Sequence, residues 1–405
     1  MVRQSVTYDS VALIGSVIGL SSVLFGSLSL KFGSLILKLG WLTIKPNRLV
    51  AGSSLNLWES FGWYGVIILG LWLICLVLSL SRNERLQPAI LGIAANLVLV
   101  ISFVLAGVTA GRLLIGEEPF ARVSLGAGVW ITLAGAYIVI FAARQRLRDG
   151  RIGRNLVSWV GLAAFVVLLL AGWFDNLSIM QEFMGRGERF VQELLKHVLL
   201  SGSSVIAGTL LGISLGIWAT RSKRIERPVF FITNIAQTIP SLALFGLLIA
   251  PLSALSFAFP FLRELGVRGV GFTPAIITLI IYSLLPIVRN TYVGLRQLDP
   301  AVIDAGLGMG MSRGRIFLKI EVPLAAPLVL EGVRIAAVQA VGLTTVAALI
   351  GAGGLGWFVF QGLGQAASDL IILGAIPIIM LALVVDGIMR NVVRLATPKG
   401  LVGGH

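Results

Sequence analysis

Asp299 to Pro323 reads DPAVIDAGLGMGMSRGRIFLKIEVP, a polar and basic insert between two apolar runs near 273–288 and 324–350. Asp299 followed by Pro300 predicts a helix start, because the carboxylate accepts from free backbone N–H groups and proline suits the first helical position. That helix should run to Gly308 or Met309, where Gly310 can take the left-handed conformation that stops it. Ser312 can cap a second helix, and Pro323 restarts the chain into the next apolar run. The expected unit is helix, turn, helix. A DNA-binding reading of that shape needs a surrounding domain, and an insert this short between two apolar runs leaves none.

The rest of the chain explains the apolar flanks. Of 405 residues, 57% are hydrophobic and 12% charged, with a mean hydropathy of +0.96. A soluble domain carries about 25% charged residues, so this chain has too few to wet its own surface and belongs in a bilayer. A hydrocarbon core of about 30 Å takes about 20 helical residues. Runs of that kind fall near 11–30, 62–80, 89–111, 123–143, 155–174, 197–219, 229–250, 273–288, 324–350 and 370–389. The expected fold is therefore an all-α membrane protein of about ten transmembrane helices. The first run is followed by Lys31 without a small-residue cleavage site, and is expected to be a retained span.

The formal charge is +14, with 32 Lys and Arg. Most of them collect in alternate loops: Arg144 to Arg154, Arg221 to Arg227, Arg289 to Lys319, and the C-terminal tail. The positive-inside rule then puts both termini in the cytoplasm. Lys31 to Arg48, basic on what should be the outer side, is the exception. The surplus serves topology and inner-leaflet lipid, so nucleic acid is not needed as a partner. Cys75 stands alone in an apolar run, and His197 and His405 are the only histidines. Little material is left for metal binding or for acid and base catalysis. No GxxxxGK[ST] phosphate loop occurs either, so the chain carries no such nucleotide-binding motif of its own.

Residues 175–196 carry Asp175, Glu182, Glu188 and Glu193 among Arg186, Arg189 and Lys196, and mark the boundary between two regions. Phe183, Phe190, Leu194 and Leu195 near helical spacing predict an amphipathic helix at the outer interface. The five spans of 1–185 hold almost nothing polar beyond Asn96, Ser and Thr, and their role stays open. The spans of 186–395 embed Asn, Gln, Thr, Glu, Arg and Asp, which are expensive in lipid and point to function. Residues 396–405 form a cytoplasmic tail.

The insert carries a resemblance: Asp304-Ala305-Gly306, three residues, Gly310, nine residues, then Ile320-Glu321-Val322-Pro323. It resembles the EAA loop of ABC importer permeases, keeping every spacing, with Asp304 for Glu, Gly306 for the second Ala and Val322 for Leu. The segments NIAQTIPSLALFGLLIAP (234–251), SLLPIVRNTYVGL (283–295) and AALIGAGGLG (347–356) look like the permeases of osmoprotectant importers. The resemblance covers about residues 195–395. It implies a type I ABC importer permease fold for the C-terminal half, in a bacterial cytoplasmic membrane, with transport and no catalysis of its own. It also implies a separate ATPase that binds and hydrolyses ATP, and a periplasmic or extracellular substrate-binding protein. The permease would be a homodimer or pair with a second permease, and its substrate an osmoprotectant such as glycine betaine. The ATPase-coupling residues it implies are Asp304, Ala305, Gly306, Gly310, Ser312, Arg313, Arg315, Ile320 and Pro323. GAGGLG is shared with methionine, phosphonate and sulfonate permeases, so another small solute stays open. An ion-driven secondary transporter is the remaining alternative, and the inverted repeats it calls for are not found.

Asn234, Gln237, Thr238 and Ser241 recur at i, i+3, i+4 and i+7 of the run 229–250, which predicts one polar face. Such a face either lines a translocation route or makes interhelical hydrogen bonds. Gln339 and Thr345 of the ninth span join them as candidates for the path. Glu331 with Arg334, and Asp386 with Arg390, are spaced to pair. GAGGLG should end the ninth span at its outer side, chiefly for packing, and Trp357, Phe358 and Phe360 follow as interfacial aromatics.

Overall fold

The computed structural model describes residues 9–25, 29–32, 35–38, 40–47, 50, 52–80, 86–147 and 151–398. The chain divides into two compact units, Met1–Gly185 and Arg186–His405. Most of the expected tail, and Arg48, lie outside the described residues. Among those described, nine helices are long and apolar enough to cross a membrane.

In the first unit α1 (Ser10–Phe25) is shorter than the expected span 11–30. Its 16 residues cover only about 24 Å, and the chain turns into the hairpin β1 (Ser29–Phe32) and β2 (Leu35–Lys38). Close packing anchors α1 instead. A Cβ on Gly135 would lie 2.7 Å from the Gly19 nitrogen and 2.8 Å from the Gly15 oxygen, so Gly15-x-x-x-Gly19 lets two backbones meet. The helix met there is α5 (Ala127–Arg146). A second sheet joins β3 (Leu42–Lys45), β4 (Ser53–Leu55) and β5 (Arg122–Leu125), all antiparallel, with β3 central. The basic residues Lys45 and Arg122 are paired in its register. Trp41 beneath it is fully buried, and its indole N–H donates to the Ser22 carbonyl at 3.1 Å. The remaining helices are α2 (Leu57–Phe61), α3 (Gly65–Leu80), α4 (Gln87–Leu113), α6 (Arg151–Leu170) and α7 (Ser178–Met184).

The second unit opens with α8 (Gly187–Arg221), 35 residues without interruption. No separate interfacial helix precedes the span at Phe190 to Leu195: the polar stretch simply continues into it, because its Glu, Lys, Gln and Leu are good helix formers. The unit's centre is α8 against α12 (Phe272–Arg296). Gly208, Gly212 and Gly216 recur every four residues on α8. A Cβ on each would come within 2.7, 2.8 and 2.6 Å of Ser283, Ile287 and Thr291 respectively. Small residues at helical spacing thus bring the two axes together.

The expected seventh span is corrected. Residues 229–250 are not one helix: α9 (Lys223–Thr238) ends, Ile239 and Pro240 are extended, and α10 (Ser241–Ala258) begins. Proline disfavours helical backbone in the residue before it, and Pro240 does so here. Following these are α11 (Pro260–Glu264), α13 (Pro300–Gly308), α14 (Arg313–Ile316), α15 (Val322–Ala347), α16 (Gly356–Gly364) and α17 (Ser368–Ala396).

Candidate functional site

The insert folds as a hairpin of helices. The Asp299 carboxylate accepts from the Ala301 N–H at 2.9 Å and opens α13. At the other end Met311 N–H reaches the Gly306 carbonyl at 3.1 Å and Gly310 N–H the Leu307 carbonyl at 2.9 Å. Those two bonds are a Schellman stop, with Gly310 at φ 75° in the left-handed region. Ser312 stands at the N-cap of α14 but makes no side-chain capping bond. Nor does Pro323 restart the chain: Arg313–Ile350 is one continuous helix. A π turn at Phe317–Glu321 carries it past the point where Pro323 has no N–H to give.

Gly306 is buried, and a Cβ there would sit 3.0 Å from Ile320 Cδ1, so these two residues close the hairpin. Asp304, Ala305, Gly310, Ser312, Arg313, Arg315 and Pro323 are exposed, beside exposed Val302, Leu307, Met309 and Leu318. The result is a small surface of mixed apolar and basic character. Arg221, the last residue of α8, pairs with buried Glu321 and lies over Phe317 at 5.6 Å. The sequence reading missed this tie, although an acidic residue just before the proline of a basic loop was its signal.

At the other end of α15, Gly351, Gly353 and Gly354 all have φ between 79° and 89°, a backbone that suits glycine. The turn is gripped by α8. Glu193, buried in α8, accepts from the Gly354 N–H at 2.7 Å. One turn on, His197 Nδ1 accepts from the Leu355 N–H at 3.2 Å, while Nε2 meets the Val341 carbonyl at 2.9 Å. A ring that accepts at Nδ1 and donates at Nε2 is the neutral Nε2–H tautomer. A Cβ on Gly353 would meet Glu193 Oε2 at 2.7 Å. One turn before Glu193, the Arg189 guanidinium covers the Trp357 ring at 3.8 Å, so this aromatic is not an open anchor. Phe358 is fully buried, 5.8 Å from Phe190. Arg189, Glu193 and His197 at i, i+4 and i+8 thus form one clasp on the glycine turn. Their spacing was visible in the sequence; their target, about 160 residues away, was not.

The polar stripe is also corrected. Asn234, Gln237 and Thr238 end α9, whereas Ser241 begins α10 beyond the break. Gln237 Nε2 donates to the Tyr282 carbonyl at 2.8 Å, and the Tyr282 hydroxyl donates back to the Ile239 carbonyl. The first bond has a clear cause. Pro286 lies four residues after Tyr282 inside α12 and has no N–H for that carbonyl. Asn234 and Thr238 remain exposed. On α15, Ile335, Gln339, Gly342 and Thr345 are wholly or partly exposed and share one face. Glu331 pairs with Arg334 at 2.7 Å, Arg334 with Asp386 at 2.6 Å, and Asp386 with Arg390, so the two expected pairs form one chain of charges between α15 and α17.

Residues 208–397 match the family model described as binding-protein-dependent transport system inner membrane component. Residues 26–180 match the N-terminal domain of the ABC transporter permease YehY. The chain is 38% identical over 224 residues to the carnitine transport permease protein OpuCB of Listeria monocytogenes, covering 55% of this chain and 95% of that one. It is 37% identical over 223 residues to the choline transport system permease protein OpuBB of Bacillus subtilis, covering 55% and 95%. It is 36% identical over 206 residues to the osmoprotectant import permease protein OsmW of Salmonella typhimurium, covering 51% and 91%. Among solved structures, the inward-facing MetNI methionine ABC transporter aligns at TM-score 0.45 and 22% identity, over 52% of this chain and 96% of that one. With that similarity spanning nearly the full length of the curated relatives, the chain belongs to the inner membrane components of binding-protein-dependent transport systems: it is a multi-pass ABC importer permease, a transport protein and not an enzyme.

Proposed function

We propose that this permease passes an osmoprotectant of the glycine betaine, choline and carnitine class, and is driven through the hairpin 299–323 by a separate ATPase. The substrate class rests on the relatives named for carnitine, choline and osmoprotectants. The coupling role rests on one observation: α13 ends in a rigid Schellman stop and holds Asp304, Ala305, Arg313 and Arg315 out as a surface. Small Ala305 permits close approach, and the guanidinium groups supply charge to a groove. Ser312, Gly310 and Pro323 shape that surface, while Gly306 and Ile320 hold it together.

In this reading residues 186–395 are the working domain and 1–185 an accessory membrane region. The route follows the open face of α15, with Gln339 and Thr345 as its polar groups and Asn234, Gln237, Thr238 and Ser241 at the α9–α10 break. A second copy, or a second permease, closes that face from the other side. Both termini face the cytoplasm, and a binding protein delivers substrate at the glycine turn.

The test is uptake into proteoliposomes holding the chain, its ATPase and its binding protein. Labelled glycine betaine should enter with ATP and be competed by choline or carnitine. Uptake of methionine with no betaine uptake would overturn the substrate assignment. Betaine uptake that survives without the ATPase would overturn the coupling.

A further inference from the structure

The first unit contains a cavity that its membrane helices do not require. It has a volume of about 360 Å³ and is lined by Phe141, Arg144 and Gln145 at the end of α5 and by Arg154 and Asn155 in the first turn of α6. Two guanidinium groups and two carboxamides line it, and none of the described residues that line it is a carboxylate. Arg146 gives the contrast, being neutralised by Asp9 at 3.0 Å. Neither Arg144 nor Arg154 has an ion-pair partner among the described residues. A topological signal alone needs only positive charge in a loop. It does not need arginines set around a cavity with amide donors beside them.

Depth and surroundings indicate the ligand. α5 has 20 residues, about 30 Å of helix, which puts Arg144 in its last turn at the level of lipid headgroups. The span Gly153–Leu170 of α6 is only 6% buried, and Leu156 and Trp159 are 56% and 60% exposed. Phe141 lines the cavity and is half-exposed, with exposed Tyr137 one turn earlier on the same face of α5. A polar mouth with forked N–H donors suits a phosphate anion, and the aromatic track leading from it suits an acyl chain.

We propose that this cavity binds the phosphodiester headgroup of an anionic phospholipid, held by Arg144 and Arg154 with Gln145 and Asn155 as neutral donors. The site gives the N-terminal unit a ligand of its own, independent of the transported solute.

The test uses the purified full chain in zwitterionic detergent, with lipid adducts counted by native mass spectrometry. Phosphatidylglycerol should be retained in preference to phosphatidylcholine. Arg144→Gln with Arg154→Gln should weaken retention roughly 10- to 30-fold, from the loss of two cations near a lipid phosphate. Arg224→Gln with Arg227→Gln, which removes equal charge outside the cavity, should leave it unchanged. Equal retention in the cavity variant would overturn the proposal, and so would an equal loss in the control. Inorganic phosphate that displaces the lipid at equal concentration would overturn it in favour of a free-phosphate site. Should the double variant fail to fold, Arg154→Gln alone carries the test, because that side chain is exposed at a helix start: weaker retention supports the site, and unchanged retention overturns it.

Discussion

Gly310 is a residue with open space and no freedom. Nothing lies within 4 Å of a Cβ placed there, so a side chain would meet no clash, yet φ is 75°. Gly310→Val should cost about 1–2 kcal/mol of backbone strain or re-angle α13 against α14. Insertion should remain normal while uptake per ATP hydrolysed falls. Gly308→Ala, helical and equally unobstructed, should be mild, since alanine favours helix by about 1 kcal/mol. Equal coupling ratios in the two reconstituted variants would remove Gly310 from the coupling role. Gln237→Leu is a different kind of change. It leaves the Tyr282 carbonyl without the donor that replaces the Pro286 N–H, a loss of about 1–3 kcal/mol. The variant should melt earlier in detergent, and Pro286→Ala should restore part of the loss by returning an N–H. If Gln237→Leu lowered uptake with an unchanged melting temperature, the amide would serve the solute and not the helix.

At the scale of elements, what the sequence revealed depended on how far each interaction reached. The α13 hairpin was legible because Asp299, Pro300 and Gly310 act on their own backbone. The break at Ile239 was obscured by continuous hydropathy, even though Pro240 sat inside the expected span, so the stripe through Ser241 was drawn across a gap. The clasp was illegible: Glu193 and His197 announce a helical face, but nothing local says that it meets Gly354. A test of that clasp separates charge from hydrogen bonding. Glu193→Gln keeps an acceptor for the Gly354 N–H and should retain most uptake. Glu193→Ala should lose most of it, with ATPase association intact, as measured by pull-down. The α8–α12 contact gives the matching structural expectation. Gly212→Leu places its side chain where Ile287 already lies 2.8 Å from a Cβ, and overpacking typically costs about 1–3 kcal/mol, to be read as a lowered melting temperature.

For the molecule as a whole, the two-unit division leads to a separable prediction. Residues 186–405, inserted without the first unit, should still bind the ATPase, and loss of binding in a correctly inserted truncation would make 1–185 part of the docking surface. The long helix Arg313–Ile350 has a consequence of a mechanical kind. It joins the cytoplasmic hairpin to the glycine turn with no loop between; the π turn and Pro327 lie near its inner end, and a single 3-10 turn, Ala348–Ile350, closes its outer end. From Leu328 to Ala347 it is an unjointed beam of about 30 Å, at 1.5 Å per residue. A tilt of about 5° at its base sweeps the far end by about 3 Å, the scale of one hydrogen bond. A partner that flexes the base by so little therefore has enough throw to strip Gly354 from Glu193, making the clasp the latch that such a lever would have to trip.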